Sequence, residues 1–177
     1  MPCDPNVHHR HSTRLQSYDY SRGGAYFVTI CTQDRARLLG EVLSGQMCLS
    51  SAGQMISDVW ASMPTRFPTI VLDTFVVMPD HVHGVVMLCD EKAAESEAGN
   101  EPRKASGTLP GTIGRILQAF KSISTHAYTQ GVKHQGWSPF TGRLWQRNYY
   151  EHIIRSEQAL ERFRAYIDAN PSRWAEM

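Results

Sequence analysis

The stretch VLDTFVVMPDHVHGVVML, residues 71–88, decides the fold of this chain. It holds two apolar runs, residues 75–78 and 85–88, on either side of a Pro79-Asp80 turn signal. Short runs rich in β-branched residues that flank such a signal are typical of two strands joined by a tight connection. The stretch therefore predicts two neighbouring strands in the middle of the chain, the second of which begins at His81.

The second predicted strand carries two histidines at alternate positions, His81 and His83. Side chains of a strand alternate between its faces, so both imidazoles project from one face and Val82 projects from the other. Two nitrogen ligands side by side can hold a divalent metal and leave its other positions open. We expect an exposed ligand pair here. The chain has eight histidines, three of them within residues 8–11, so a His-x-His triplet can also arise by chance.

The composition is that of one compact domain. A chain of 177 residues with 41% hydrophobic and 20% charged residues is long enough to bury a core. It has no apolar run of membrane-spanning length and no signal-peptide pattern, so we expect a cytoplasmic protein with no membrane partner. The four cysteines are scattered and form no Cys-x-x-Cys pair, which favours reduced thiols over disulfides or zinc ligands.

The charge is distributed unevenly although the net charge is only +1. Residues 1–100 carry 7 basic and 11 acidic side chains, whereas residues 101–177 carry 11 basic and 6 acidic side chains. This asymmetry points to a polyanionic partner on the C-terminal half. Solvated helix faces would give the same pattern, so charge alone leaves both interpretations open.

The remaining pattern predicts alternating strands and helices around the quoted stretch. Residues 1–23 form an irregular arm, residues 24–177 a single domain, and residues 90–107 a mobile loop, because the arm and the loop are polar and have few aliphatic residues. Before the quoted stretch we predict a strand at 25–32, a hairpin within 38–49 and a helix from Ser50 or Ser51 to about Arg66. After it we predict a helix beginning near residue 112, a loop over 131–142, a strand at 143–150 and a last helix from Ser156 to Asn170, stopped by Pro171.

This order of elements favours the α+β class. Neighbouring strands without helical crossovers predict an antiparallel sheet with helices packed on it. A ferredoxin-like sheet is the simplest arrangement of that kind. The pair of histidines would then lie on a central strand.

The last predicted helix contains a second constellation. Tyr166 and Asn170 are separated by four residues, so they lie one above the other on one face of the helix. That face borders an apolar stripe of Leu160, Phe163 and Ile167. A tyrosine at the edge of the core and an asparagine at a helix end would produce the same spacing.

Four segments of the chain together resemble a known family. They are GAYFVTICT at residues 24–32, MPDHVHGVV at 78–86, WQRNYYEHIIR at 145–155 and YIDANP at 166–171. The His-Val-His triplet resembles the HUH motif (two histidines separated by an apolar residue) of single-strand DNA nucleases. The set, in this order, resembles the REP-associated tyrosine transposases and the single-tyrosine transposases of insertion sequences.

The resemblance implies a site and a substrate. Tyr166 on the C-terminal helix would be the nucleophile, and His81, His83 and Asn170 would hold a divalent ion, Mg²⁺ or Mn²⁺. The protein would be a site-specific single-strand DNA endonuclease and strand transferase of bacterial DNA transposition or recombination, acting beside a DNA hairpin through a 5′-phosphotyrosine intermediate. Insertion-sequence relatives imply a homodimer and the REP-associated branch a monomer.

The basic and aromatic residues of the C-terminal half are the predicted DNA contacts. The arginines and the lysine would contact phosphates, and the adjacent tyrosines would stack on bases or pack in the core. They are Lys121, Arg143, Arg147, Tyr149, Tyr150 and Arg155. The alternative interpretation is a non-catalytic module that binds single-stranded nucleic acid with this surface. A third, weaker alternative is a metal hydrolase that uses activated water, for which Tyr166 would be dispensable.

Overall fold

A computed structural model describes residues 23–89 and 112–174. The predicted N-terminal arm, apart from Gly23, and the predicted loop at 90–107 lie outside the described residues. The described residues form strands β1 (Gly24–Cys31), β2 (Gly40–Leu43), β3 (Gln46–Leu49), β4 (Ile70–Met78), β5 (His81–Leu88) and β6 (Tyr150–Ile154). They also form helices α1 (Ser51–Ala61), α2 (Met63–Arg66), α3 (Ile113–Gln135), α4 (Glu157–Asp168) and α5 (Asn170–Trp174).

Four strands form one antiparallel sheet in the order β4-β5-β1-β6. The chain passes from β1 through α1 and α2 to β4 and β5, and from β5 through α3 to β6. This connectivity is that of a ferredoxin-like sheet, so the predicted fold class is confirmed. Strand β5 lies between β4 and β1 and is therefore a central strand. The predicted hairpin at 38–49 is also present, as the separate sheet of β2 and β3.

Residues alternate between the two faces of the sheet and build two apolar clusters. On one face, Tyr26, Val28 and Ile30 of β1 join the core formed with α1 and α3. On the other face, Phe27 joins a smaller cluster with Val85 of β5 and with α4. Because His81 and His83 have the parity of Val85, they lie on the face that α4 covers.

The helix predicted from Ser50 to about Arg66 is divided at Ser62. Ser50 caps α1 as predicted, since its hydroxyl accepts a hydrogen bond from the Gly53 amide at 3.1 Å. Pro64 has no N–H and its ring would clash with the carbonyl four residues before it, so α1 cannot continue through it. The chain restarts as the short helix α2, with the proline in its first turn.

The predicted start of the loop at Gly131 was wrong, because α3 continues to Gln135. Gly131 lies inside the helix where a side chain has no room: a Cβ there would be 2.1 Å from Cε3 of Trp137. The left-handed C-cap is Gly136, with a φ of 70°. Although α3 is long, no described helix combines the length and apolarity that crossing a membrane requires.

The strand predicted over residues 143–150 was also wrong. Only Trp145 forms a bridge there, to Thr32, and β6 begins at Tyr150. The ammonium group of Lys121 donates hydrogen bonds to the carbonyls of Gln146, Arg147 and Asn148, at 2.9, 3.3 and 3.0 Å. A lysine on α3 thus satisfies backbone groups that a neighbouring strand would otherwise have paired.

Pro171 ends one helix and begins another. Helix α4 stops at Asp168, close to the predicted end at Asn170, but α5 follows at Asn170–Trp174 with Pro171 as its second residue. Proline is tolerated in the first turn of a helix, where its missing N–H has no partner to lose. The prediction that the helical structure stops at this proline was therefore wrong, and two further side chains reach the site through α5.

Candidate active site

The two histidines lie at the start of β5 beneath α4 and α5. Antiparallel pairing with β1 places Thr29 opposite His83 and Cys31 opposite His81. Both imidazoles are only 5% exposed. The expectation of an exposed pair was wrong because rings from the last two helices cover it: Tyr166 is 5.3 Å from His83 and Trp174 is 5.7 Å from His81, between ring centroids.

The two imidazoles turn their Nε2 atoms toward each other, 3.0 Å apart. Nδ1 of His81 lies 2.5 Å from Oδ1 of Asp80, and Nδ1 of His83 lies 2.8 Å from the Thr29 hydroxyl. A carboxylate only accepts hydrogen bonds, so Nδ1 of His81 carries a proton and donates it to Asp80. Partners at both Nδ1 atoms fix the ring orientations, as outer-shell partners do for metal-binding histidines.

The electrostatics of the pair favour the neutral imidazole at His83. Burial, reinforced by the neighbouring His81 and Arg35, lowers the pKa of His83 to about 3, while Asp80 acts in the opposite direction. Arg35 in turn lies 3.4 Å from the Asp80 carboxylate. A neutral imidazole is the form that ligates a metal, so at neutral pH His83 has no proton to release before it binds one.

The donor set fits a divalent ion completed by oxygen ligands. The two Nε2 atoms are 3.0 Å apart, close enough for both imidazoles to hold one divalent ion. Within residues 23–89 and 112–174, no group of three His, Cys, Asp or Glu side chains could hold an ion alone. Asn170 is the first residue of α5, one turn beyond Tyr166, and is 8% exposed. Its amide oxygen is the buried side-chain oxygen nearest to Tyr166 along the sequence. Two imidazoles and one amide suit Mn²⁺, whereas Mg²⁺ would need more oxygen from phosphate and water.

Tyr166 packs against the histidines and still reaches solvent. Its ring meets His83 edge-on, and it also meets Phe27 edge-on at 5.9 Å. Phe27 stacks at the same time on His83 at 5.3 Å and on Phe163 of α4 at 4.5 Å. With 37% of its surface exposed, Tyr166 combines a fixed ring with access to a ligand from outside.

Comparison with known proteins shows a relative of the whole chain. No protein-family model matches the chain. An uncharacterised protein of Haemophilus influenzae strain Rd is 34% identical over 174 residues, which cover 95% of this chain and 91% of that protein. The chain belongs to the same family as this Haemophilus protein.

A solved structure shares the fold of this chain. The structure of a REP-associated tyrosine transposase bound to a REP hairpin matches with a TM-score of 0.61 and 20% identity, over 92% of this chain and 74% of that chain. The chain has the fold of a REP-associated tyrosine transposase. The resemblance that the four sequence segments predicted is thus confirmed at the level of the fold.

In this transposase fold, an ion pair ties the tyrosine helix to the sheet. Arg164 of α4 donates from Nε and Nη2 to the two carboxylate oxygens of Asp73, at 2.9 and 2.6 Å. Asp73 lies in β4 where the pairing with β5 shifts register. The sequence reasoning missed this pair because 91 residues separate its members and no local spacing signals it.

The predicted DNA contacts occupy two places. Arg143, Arg147 and Arg155 are exposed, and Tyr150 is 58% exposed opposite Thr29, on the face that carries the histidines. Tyr149 is half-buried, and the ammonium of Lys121 lies 5.4 Å from its ring centroid. The same ammonium donates hydrogen bonds to three carbonyls of residues 146–148, so Lys121 holds the loop that carries Arg147.

A basic groove of about 630 Å³ runs between α3 and residues 142–147. Its lining residues include four cations and no acidic side chain: Lys121, Lys133, Arg143 and Arg147. The sequence explains the sign of the charge, because no Asp or Glu occurs from residue 102 to residue 150. A surface of this kind attracts phosphates.

The ion pair between Arg164 and Asp73 predicts a pH-dependent contribution to stability. Hydrogen bonds from Arg164 hold the pKa of Asp73 below its usual range. The contribution is therefore complete above the unfolded pKa of about 3.9 and disappears as the pH falls through the lower folded value. Urea unfolding of wild type and Arg164→Met should differ by a constant free energy from pH 7 to pH 5, and the difference should shrink below about pH 4. Arg162→Met on the same helix is the control, and a wild-type advantage over Arg164→Met that does not change with pH would contradict this assignment.

Proposed function

We propose that this protein is a metal-dependent, site-specific endonuclease and strand transferase for single-stranded DNA, which works through a 5′-phosphotyrosine intermediate. One observation carries the proposal: the ring of Tyr166 lies 5.3 Å from that of His83, whose Nε2 converges with that of His81. A partly exposed phenol and two imidazole nitrogens thus lie in one place. The shared fold with a REP-associated tyrosine transposase supports the same class of reaction.

Tyr166 performs the covalent step in this proposal. Its phenolic oxygen attacks the phosphorus of one phosphodiester, a P–O(Tyr) bond forms, and the bond to the 3′-oxygen breaks. The phenol proton leaves to solvent and the 3′-oxygen takes up a proton, so the products are a phosphotyrosine and a free 3′-hydroxyl. The phosphotyrosine keeps the bond energy, so a 3′-hydroxyl can reverse the step and rejoin DNA without ATP.

His81, His83 and Asn170 would hold the divalent ion. When bound, the ion supplies charge stabilisation at the non-bridging oxygens of the scissile phosphate. Asp80 and Thr29 orient the two imidazoles through their Nδ1 atoms. Burial under Tyr166 and Trp174 excludes bulk water from this end of β5, which strengthens electrostatic interactions there.

The two basic and aromatic surfaces suggest how the substrate lies. Tyr150 is exposed on the face of the histidines, where an aromatic ring can stack on the bases of a single strand. Arg143 and Arg147 line the groove beside α3, where phosphates can bind. Because the REP-associated neighbour binds a REP hairpin, we propose a single strand that is flanked by a hairpin as the substrate. Since α4 packs on the sheet of its own chain, one chain can supply every residue of the site, which favours a monomer over a homodimer.

The nucleophile is tested by Tyr166→Phe. This change deletes only the phenolic oxygen and keeps the ring contacts with Phe27 and His83, so folding and DNA binding should match wild type. Cleavage of end-labelled single-stranded DNA from the flanks of the gene should fall below detection, together with the covalent protein–DNA adduct on a denaturing gel. Tyr149→Phe and Tyr150→Phe should keep the adduct, because stacking requires the ring alone. Tight binding of hairpin-flanked strands by wild type without any adduct would instead favour the non-catalytic binding module. Cleavage that persists in Tyr166→Phe without an adduct would favour the metal hydrolase.

The metal ligands are tested by binding as well as by activity. His81→Ala and His83→Ala should each abolish calorimetric Mn²⁺ binding and cleavage, because one imidazole and one amide make a weak site. Asn170→Ala should retain weaker binding, and its cleavage should recover partly at high Mn²⁺. Wild-type Mn²⁺ affinity in either histidine variant would show that the ion binds elsewhere.

The groove is tested by the salt dependence of binding. Each phosphate contact that is lost on a single strand should reduce the slope of log affinity against log salt by roughly 0.7. Arg143→Ala and Arg147→Ala should therefore weaken binding of single-stranded DNA and flatten this slope, whereas Arg115→Ala, on the exposed side of α3, should do neither. A wild-type affinity that does not change between low and physiological salt would contradict a phosphate-binding surface.

A further inference from the structure

Four arginines lie near the candidate site, and all four contact other side chains. Arg35 lies against Asp80, and Arg164 is held by Asp73 and Glu161. The Cζ atom of Arg37 lies 5.5 Å from the ring centroid of Trp174. Neither Arg37 nor Arg173 pairs with a carboxylate among the residues that the structure describes, and Arg173 is the one that lies over Tyr166.

Arg173 lies over the ring of Tyr166. Its Cζ atom is 5.9 Å from the ring centroid, and its side chain is exposed. Helix α5 sets this position, since the Arg173 amide donates to the Ala169 carbonyl at 3.2 Å and Asn170 and Pro171 form the turn between. The guanidinium group thus lies over the face of the Tyr166 ring on an exposed side chain, which a phosphate from outside could contact.

We propose that Arg173 is a further catalytic residue, which binds a non-bridging oxygen of the scissile phosphodiester and holds it against Tyr166. This inference rests on the proposed function. A guanidinium group is always charged, presents paired N–H donors and binds phosphate oxygens through hydrogen bonds that are charge-assisted. Negative charge on these oxygens must be compensated while the Tyr166–phosphorus bond forms and the bond to the 3′-oxygen breaks. Arg173 supplies a fixed positive charge there and exchanges no proton.

Removal of this charge is the first test. Arg173→Ala should fold as wild type because the side chain is exposed, and the rate of adduct formation at saturating DNA should fall about 100- to 1000-fold, the usual loss for a donor that stabilises transition-state charge. Arg173→Lys should recover part of that rate. Arg66→Ala, an exposed arginine at the end of α2, is the matched control and should leave the rate unchanged.

Removal of the charge on the substrate distinguishes a catalytic role of Arg173 from a role in packing against Tyr166. Once wild type has located the scissile linkage, that linkage is replaced by a methylphosphonate, in which a methyl group stands for one non-bridging oxygen and the negative charge is absent. An arginine that neutralises this charge becomes dispensable, so Arg173→Ala should form the adduct within about tenfold of the wild-type rate on this strand, against the larger deficit on the phosphodiester. Tyr166→Phe should remain inactive on both strands.

These experiments distinguish failure of the role of Arg173 from failure of the proposed function. An equal deficit of Arg173→Ala on the two strands, or a wild-type rate of Arg173→Ala on the phosphodiester, overturns the role of Arg173 and leaves the proposed function intact. If neither protein cuts the methylphosphonate, the decision falls to Arg173→Lys, and a rate no better than that of Arg173→Ala overturns the inference. Absence of any adduct with wild type on the phosphodiester overturns the proposed function and this inference with it.

Discussion

The antiparallel pairing of β1 with β5 is the constraint on which the rest of the site depends. Its register sets Thr29 opposite His83 and Phe27 opposite Val85. A shift of one residue would turn every side chain of β5 to the opposite face and point the imidazoles at α1 and α3. The large core on that other face, built on Tyr26, Val28 and Ile30 of β1, opposes such a shift.

Burial of the two imidazoles carries an energetic cost that the neighbouring residues offset. A buried polar group without a hydrogen-bond partner costs about 1–3 kcal/mol. Asp80 and Thr29 satisfy the two Nδ1 atoms, and the two Nε2 atoms are 3.0 Å apart and partner each other. A divalent cation would bind here by taking the place of this Nε2–Nε2 contact.

Docking of α4 then decides which tyrosine meets the histidines. Phe27 stacks on Phe163 and on His83, so one residue of β1 contacts both the tyrosine helix and a predicted metal ligand. The bidentate pair of Arg164 and Asp73 fixes the same helix to β4. Apolar stacking and a charged pair thus act on different turns of α4, and Tyr166 is held beside His83.

Local sequence patterns predicted those parts of the fold that depend on local rules. The turn at Pro79-Asp80 and the period of two predicted the face shared by His81 and His83, and the helical spacing predicted Tyr166 on the last helix. The patterns failed where a distant partner decides the structure. Trp137 packs on Gly131 and keeps it helical, and Lys121 replaces a strand partner for the segment that follows Trp145.

The parts of the candidate site that the sequence did not predict lie in α5. Proline was interpreted as a stop signal, although its geometry also suits a first helical turn, so Arg173 and Trp174 in α5 were not among the predicted residues. The burial of the histidines depends on these later side chains, and for this reason the sequence suggested an exposed pair. Tertiary contacts over more than 80 residues leave no periodic trace in one sequence.

The most direct test of the account is to identify the residue that becomes joined to DNA. The wild-type protein is incubated with single-stranded DNA from the flanks of its gene and Mn²⁺, the adduct is digested with nuclease and trypsin, and the peptides are sequenced by mass spectrometry. Cleavage after Arg164 and Arg173 gives the peptide AYIDANPSR, which contains Tyr166, whereas Tyr149 and Tyr150 fall in NYYEHIIR. The account predicts a nucleotide attached through its 5′-phosphate to the tyrosine of the first peptide. A nucleotide on the second peptide would contradict it.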